Sequence, residues 1–136
     1  MSIEADPSRG GDFIATIPPL PEAVKAIQWD EVEWIHGVGS VYPWEAIEVM
    51  AELHSIMEPG GLLVLEQPDA RNCDPALHPE WAFGDPSLRQ PLHMNKWIYT
   101  PAALLKILDG AGFKHARMLP AQHHVLHRDF RIEATA

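Results

Sequence analysis

The chain has one cysteine, Cys73, so no disulfide can close within it. That usage fits a reducing compartment. No apolar run approaches the ~20 residues needed to cross a bilayer. The opening Met1-Ser2-Ile3-Glu4 has neither the basic nor the apolar part of a secretory leader, and the expected location is the cytoplasm. Cationic side chains are scarce: 10 Lys and Arg stand against 19 Asp and Glu, for a net charge of −9. They form no cluster, which excludes unaided electrostatic binding to nucleic acid. Internal repeats and low-complexity tracts are also lacking.

What is present reads as one α/β domain. The 136 residues are 46% hydrophobic, enough for a real core. The most informative segment is Ile56-Met57-Glu58-Pro59-Gly60-Gly61-Leu62-Leu63-Val64-Leu65-Glu66-Gln67-Pro68-Asp69. Pro59 ends a helix, Gly60 and Gly61 supply φ > 0 for a reversal, and the apolar run 62–65 predicts a strand covered on both faces. Before it, residues 44–57 carry Ala46, Ile47, Met50, Leu53 and Met57 at helical spacing. Residues 29–37 predict a strand ending at the Gly37-Val38-Gly39-Ser40 loop, and residues 21–27 a short helix. Short strands are expected around Ile3-Glu4-Ala5-Asp6-Pro7 and over residues 12–17. Thr100 and Pro101 cap a helix with Leu104, Leu105 and Leu108 buried, ended by Gly110 and Gly112. Two strands, 114–119 and 129–134, close the chain. Residues 68–99 form a long Pro-rich connection or lid, with Trp81, Phe83 and Trp97 as anchors.

The Pro-Gly-Gly segment resembles the "LkPGGxLvi…Pd" signature of class I S-adenosylmethionine-dependent methyltransferases, at the entry to their fifth strand. Tyr99-Thr100-Pro101, Leu104, Leu105, Leu108 and Ala111-Gly112-Phe113 are similar to that family's "yTpxxLxxlLxxaGF" segment. The order of elements follows the family from its second strand onward. The resemblance implies a Rossmann-like sheet, mostly parallel with a C-terminal antiparallel strand pair, in a single methyltransferase-like domain over residues 1–136. Relative to the family the chain reads as N-terminally truncated. The first strand, the Gly-rich cofactor loop and the following helix have no counterpart.

The family's acidic contact to the cofactor ribose falls on Glu4, since Ile3-Glu4-Ala5-Asp6-Pro7-Ser8 is similar to "gxExdps". A carboxylate suits two adjacent hydroxyls. The adenine contact falls on Asp12, with Phe13 beside the ring. The fourth-strand tip, "HvlEH" in the family, keeps only His36. The resemblance thus implies a transferase that binds S-adenosylmethionine through Glu4, Asp12, Phe13 and His36 and methylates an unidentified acceptor. The alternative is an inactive methyltransferase-like module that serves assembly. Missing the first strand leaves two sheet edges facing a gap. They could close on each other, or a second copy or partner chain could complete the sheet.

Each residue also has a plainer reading. Glu4 and Asp6 can be polar residues at a strand end, Asp12 a turn residue after Gly-Gly, and His36 a hydrogen-bonded structural histidine. His123, His124 and His127 are the densest imidazole group, yet no four-ligand set accompanies them, so no metal is expected. Cys73 has no neighbouring base in the sequence to make it a nucleophile.

Overall fold

A computed structural model describes residues 2–5 and 7–136; Asp6 lies outside the described residues. A parallel pair, β1 (Ile3–Glu4) with β2 (Phe13–Ile14), stands apart from the main sheet. The short helix α1 (Glu22–Lys25) leads into β3 (Trp29–Ile35), and α2 (Pro43–Ile56) into β4 (Met57–Pro68). After a connection holding the short helix α3 (Pro79–Phe83) come α4 (Pro101–Ala111), β5 (Lys114–Pro120) and β6 (Asp129–Thr135).

The main sheet runs β3-β4-β6-β5. Only β3 and β4 are parallel; β6 pairs antiparallel with both β4 and β5. The expectation of a mostly parallel sheet is therefore corrected to a mixed one. β6 returns beside β5 and inserts between it and β4, which makes both of its pairings antiparallel.

The predicted elements form for the predicted reasons, with some corrections. The Tyr42 N–H donates to Glu45 Oε1 at 2.9 Å at the start of α2, and Pro43 occupies the first helical turn, where no N–H is needed. Thr100 Oγ1 accepts the Ala103 N–H at 3.2 Å, and Gly112 closes α4 in the left-handed region at φ 98°. Gly110 lies inside α4 and does not end it.

The Pro-Gly-Gly segment is a bulge at the mouth of β4. Trp29 pairs with Met57 and Glu31 already with Leu62, so residues 58–61 loop out against Asp30 alone. Only Gly60 has a positive φ, 81°, which differs from the expectation for both glycines. Gly61 is needed for a second reason: a Cβ there would lie 2.9 Å from Glu58 O and 3.0 Å from Asp30 O, both backbone atoms. Gly61→Ala should accordingly lower stability by ~1–3 kcal/mol, as overpacked sites do. Urea denaturation checks this, and an unchanged midpoint would show that the bulge can open.

Helices cover one face of the sheet. Leu63, Leu65, Ile132 and Ala134 pack with Val49, Met50 and Leu53 of α2 and Leu104 and Leu108 of α4 in one core. At ~1.5–3 kcal/mol per buried aliphatic side chain, this layer dominates stability. The other face carries charge where a second helix layer would need apolar side chains. The register sets Glu33, Val64, Glu133 and Arg117 in one row and Ile35, Glu66, Arg131 and Leu119 in the next. Arg131 Nε lies 3.1 Å from Glu133 Oε1, and Arg117 Nη2 lies 3.1 Å from Glu133 Oε2. Hydrogen bonds from Arg131 first and Arg117 second hold the Glu133 carboxyl below its ordinary range. Leu63, Val64 and Leu65 are thus buried, as the run predicts, and Leu62 is half-buried, but helices cover one side only. Among the described residues no helix is long and apolar enough to cross a membrane.

The long connection is tied down. The Tyr99 hydroxyl donates to Val41 O at 2.6 Å, and burial pushes its pKa up. The Lys96 N–H donates to Gly39 O at 2.8 Å, and Asn95 Nδ2 to Ala82 O at 3.0 Å. Of the three expected anchors only Trp81 packs, stacked on His78 at 4.0 Å; Phe83 and Trp97 are exposed.

Candidate functional site

A cleft of about 1170 Å³ opens between β1 and β3. Ile3 and Glu4 line one side and residues 31–37 the other; α1 and α2 contribute Val24, Leu53 and Ile56, and residues 80–96 of the long connection supply a further wall. It exceeds the ~300–1,000 Å³ of small-molecule sites.

The sequence named four residues for this region, and the fold separates them. Glu4 and His36 border the cleft, while Asp12 and Phe13 do not line it. Asp12 turns back onto β1, where its Oδ2 accepts the Ser2 N–H at 2.7 Å and the Ser2 hydroxyl at 3.3 Å. Phe13 is half-buried against the core.

His36 is the most structured of the four. It follows the last residue of β3, and its N–H donates to Glu66 O at 2.8 Å. Its φ of 55° lies in the left-handed region, which costs a residue with a side chain about 1–2 kcal/mol. The turn breaks the strand's alternation and brings the ring to Asp129 at the start of β6. His36 Nε2 lies 2.6 Å from Asp129 Oδ2, and the Asp129 side chain is fully buried. Arg128 bonds the same carboxylate through Nε and Nη2. Burial alone would push the Asp129 carboxyl up, but the bonds from His36 and Arg128 outweigh it and hold it below the ordinary range.

A second imidazole, His124, sits 4.1 Å from the His36 ring, centroid to centroid. Burial first, and the neighbouring His36 second, lower its pKa. Arg128 lies over Trp81, 5.8 Å from the ring centroid. Beneath this group Glu66, fully buried, accepts the Gln122 and His123 N–H groups at 3.0 and 2.6 Å. That pins the loop carrying His124. Asp129 and Arg128 had no signal in the sequence, because Asp129 stands 93 positions from His36 and no spacing rule joins them; His124 stood out only as one of a histidine cluster weighed for metal, not as a neighbour of His36. Cys73 is buried away from solvent, and that burial pushes its thiol up, against a nucleophilic role.

The arrangement provides an imidazole oriented by a buried, ionised carboxylate at the edge of a large cleft. With Asp129 ionised, its Oδ2 accepts a hydrogen from Nε2, and a neutral ring in that tautomer would carry its lone pair on Nδ1, as a general base needs.

No family model and no curated protein matches the chain. Solved structures do. An S-adenosylmethionine-dependent methyltransferase from Archaeoglobus fulgidus is 16% identical over 98% of this chain and 74% of its own, with a TM-score of 0.66. A putative O-methyltransferase from Nostoc punctiforme is 15% identical, with a TM-score of 0.57, over 81% of this chain. Human N-acetylserotonin methyltransferase, solved with S-adenosylmethionine, is 14% identical over 78% of this chain, with a TM-score of 0.53. The chain spans 32% of the Nostoc protein's length and 29% of the human one's. At these identities the likeness establishes architecture: the chain has an α/β fold shared with part of the S-adenosylmethionine-dependent methyltransferases.

Proposed function

We propose that this chain is a methyltransferase-type module that binds S-adenosylmethionine in the cleft and directs its methyl group to a hydroxyl or amine acceptor. The observation that carries this reading is His36, held from behind by buried Asp129, on the wall of the cleft that Glu4 also borders. The donor set fits part of the cofactor. Glu4 is a carboxylate suited to the ribose hydroxyls. Gly10 and Gly11 stand beside it, a Cβ on Gly11 falling 3.0 Å from Glu4 Cβ, but they belong to the loop between β1 and β2 and do not line the cleft where the methionine end would lie. Asp12 and Phe13 remain in the proposal as the adenine end, reached only by rearrangement of the loop before β2.

The cofactor supplies a methyl on a cationic sulfur, which leaves as a neutral thioether when the acceptor's oxygen or nitrogen takes the methyl. His36 borders the cofactor and receives the acceptor's proton at Nδ1. Asp129 holds the ring and stabilises the imidazolium that results. Residues 68–99 act as the lid over the acceptor. Positioning accounts for most of such a reaction, so a single base suffices.

Calorimetric titration with S-adenosylhomocysteine tests the binding half. Saturable binding is expected, and Glu4→Ala should weaken it about tenfold or more, the worth of a hydrogen bond to a charged group. A well-folded chain that takes no ligand would remove the cofactor from the reading. Unchanged affinity in the variant would remove Glu4 from the site.

A second reading is an inactive module that assembles with another chain. The open edges of β1 and β3 favour it.

A further inference from the structure

The side chains around His36 gather more cationic and protonatable nitrogen than one carboxylate can answer. Arg128, His36 and His124 all line the cleft, and buried Asp129 is the acid behind them. Arg128 reaches it through Nε and Nη2, and His36 through Nε2. The His124 ring touches that of His36 but makes no hydrogen bond to a described residue, and neither does Arg128 Nη1. No buried side-chain nitrogen or oxygen of the described residues lacks a partner, so Arg128 Nη1 meets solvent. His124 is exposed.

The other carboxylates nearby are taken. Glu66 holds the Gln122 and His123 N–H groups and Arg131. Asp85 of the long connection accepts from the Ser87 N–H and hydroxyl at 2.9 and 2.6 Å, and Glu80 Oε1 lies 3.7 Å from His78 Nδ1. Apart from Asp129, the charged groups acting on His124 are His36, Arg128 and His123, and all three oppose its protonation. The group also stands away from the open side of the sheet. The left-handed turn at His36 carries its ring from the end of β3 to the start of β6, and β6 lies beyond β4, flanked by β4 and β5.

We propose that His124 and Arg128, beside His36, form a subsite for an oxyanion, a carboxylate or a phosphate, whose binding brings a proton onto His124. Imidazolium rings in contact repel each other and the neighbouring guanidinium. An oxyanion placed against them offsets that repulsion and accepts charge-assisted hydrogen bonds from both side chains. Arg128 supplies the fixed charge and His124 the titratable one. Burial and His36 lower the His124 pKa, and an oxyanion acts in the opposite sense, so anion binding and proton uptake are linked. The contact between the two imidazoles sets the oxyanion a few atoms from a group methylated beside His36. The acceptor is then a small hydroxy or amino compound with a carboxylate or phosphate near the methylated atom; this assignment, unlike the subsite itself, rests on the methyltransferase reading.

Inorganic sulfate is the probe, because its charge is constant across the range in which imidazoles titrate and any pH dependence belongs to the protein. At fixed ionic strength, sulfate should shift the ring resonances of His36 and His124 saturably, and its affinity should rise about tenfold from pH 8 to pH 6. His124→Gln, a polar replacement of an exposed side chain, should abolish that rise and weaken binding at the lower pH about tenfold, the worth of a hydrogen bond to a charged group. His123→Gln, an exposed imidazole on the same loop, should change the affinity less than about threefold, as a surface charge does. Absence of saturable binding, a pH-independent affinity, or equal losses in the two variants would overturn the subsite. S-adenosylhomocysteine added with sulfate identifies the source of the anion. Binding of both together supports the acceptor's oxyanion, whereas displacement of sulfate would give the subsite to the cofactor's own carboxylate and overturn the acceptor class. Sulfate binding by a chain that takes no S-adenosylhomocysteine would leave the subsite standing and remove the methyltransferase reading; the converse result would remove the subsite alone.

Discussion

Replacing Glu66 by alanine should destabilise the protein by about 3–5 kcal/mol, the range for breaking a buried charge pair from one side. Glu66 is fully buried in β4. Its Oε1 accepts two backbone N–H groups, from Gln122 and His123, and its Oε2 lies 3.5 Å from Arg131 Nη1. The variant leaves two inward-facing donors without an acceptor, each worth about 1–3 kcal/mol of desolvation. It also leaves the buried Arg131 guanidinium with Glu133 alone. The loop that carries His124 is tied to the sheet through those two bonds, so loosening should concentrate there. Denaturant unfolding gives the size, and hydrogen exchange at Gln122 and His123 gives the place. A loss below about 1 kcal/mol, the net worth of an ordinary hydrogen bond, would mean that water replaces the carboxylate and that Glu66 is not the tether described. Glu66→Gln should recover much of the loss, since its amide oxygen can still accept.

How much of this was legible in the sequence depends on the range of the interaction. α4 and its two caps could be read because Thr100, Pro101 and Gly112 act within a few positions of where they stand. The β4 strand could be read because its apolar run is contiguous. The Pro-Gly-Gly bulge was legible in place but not in detail. Gly61 is required by the Asp30 carbonyl of a neighbouring strand, a contact that local sequence does not encode. The mixed sheet was harder still: nothing in residues 114–135 distinguishes a β6 at the edge from a β6 inserted between β4 and β5. The charged outer face was present in the alternation of Arg117, Arg131 and Glu133, but the strand register was needed to bring them together. At the site, His36 stood out by its place at a strand tip. Its partner Asp129 did not, because only the antiparallel return of β6 brings it to the end of β3.

Asp129→Ala should show the second large effect, also about 3–5 kcal/mol at neutral pH, and with a pH signature that Glu66→Ala is not required to share. The Asp129 side chain is fully buried between His36 and Arg128, so its removal leaves the mostly buried Arg128 without its carboxylate. Burial opposes ionisation of Asp129, yet the bonds from His36 and Arg128 prevail and depress its folded pKa. An aspartate titrates near 3.9 when unperturbed. A carboxyl with a depressed folded pKa binds protons more readily in the unfolded chain. The resulting stability is fully present above about pH 4 and is lost as pH falls through the folded value. The native protein should therefore lose stability more steeply than the variant on the acid side, and the gap between them should narrow below about pH 4. Unfolding measured at pH 7 and at pH 3 separates this from a packing defect, which would leave the gap equal at both. Asp129→Asn preserves the shape, removes the charge and frees the His36 ring to change tautomer. If the proposed chemistry holds, that variant should bind S-adenosylhomocysteine as the native chain does and lose methyl transfer by about 10²–10⁴-fold, the usual contribution of a general base. Loss of binding together with turnover would instead make the pair a support for the cleft wall and would take the base role away from His36.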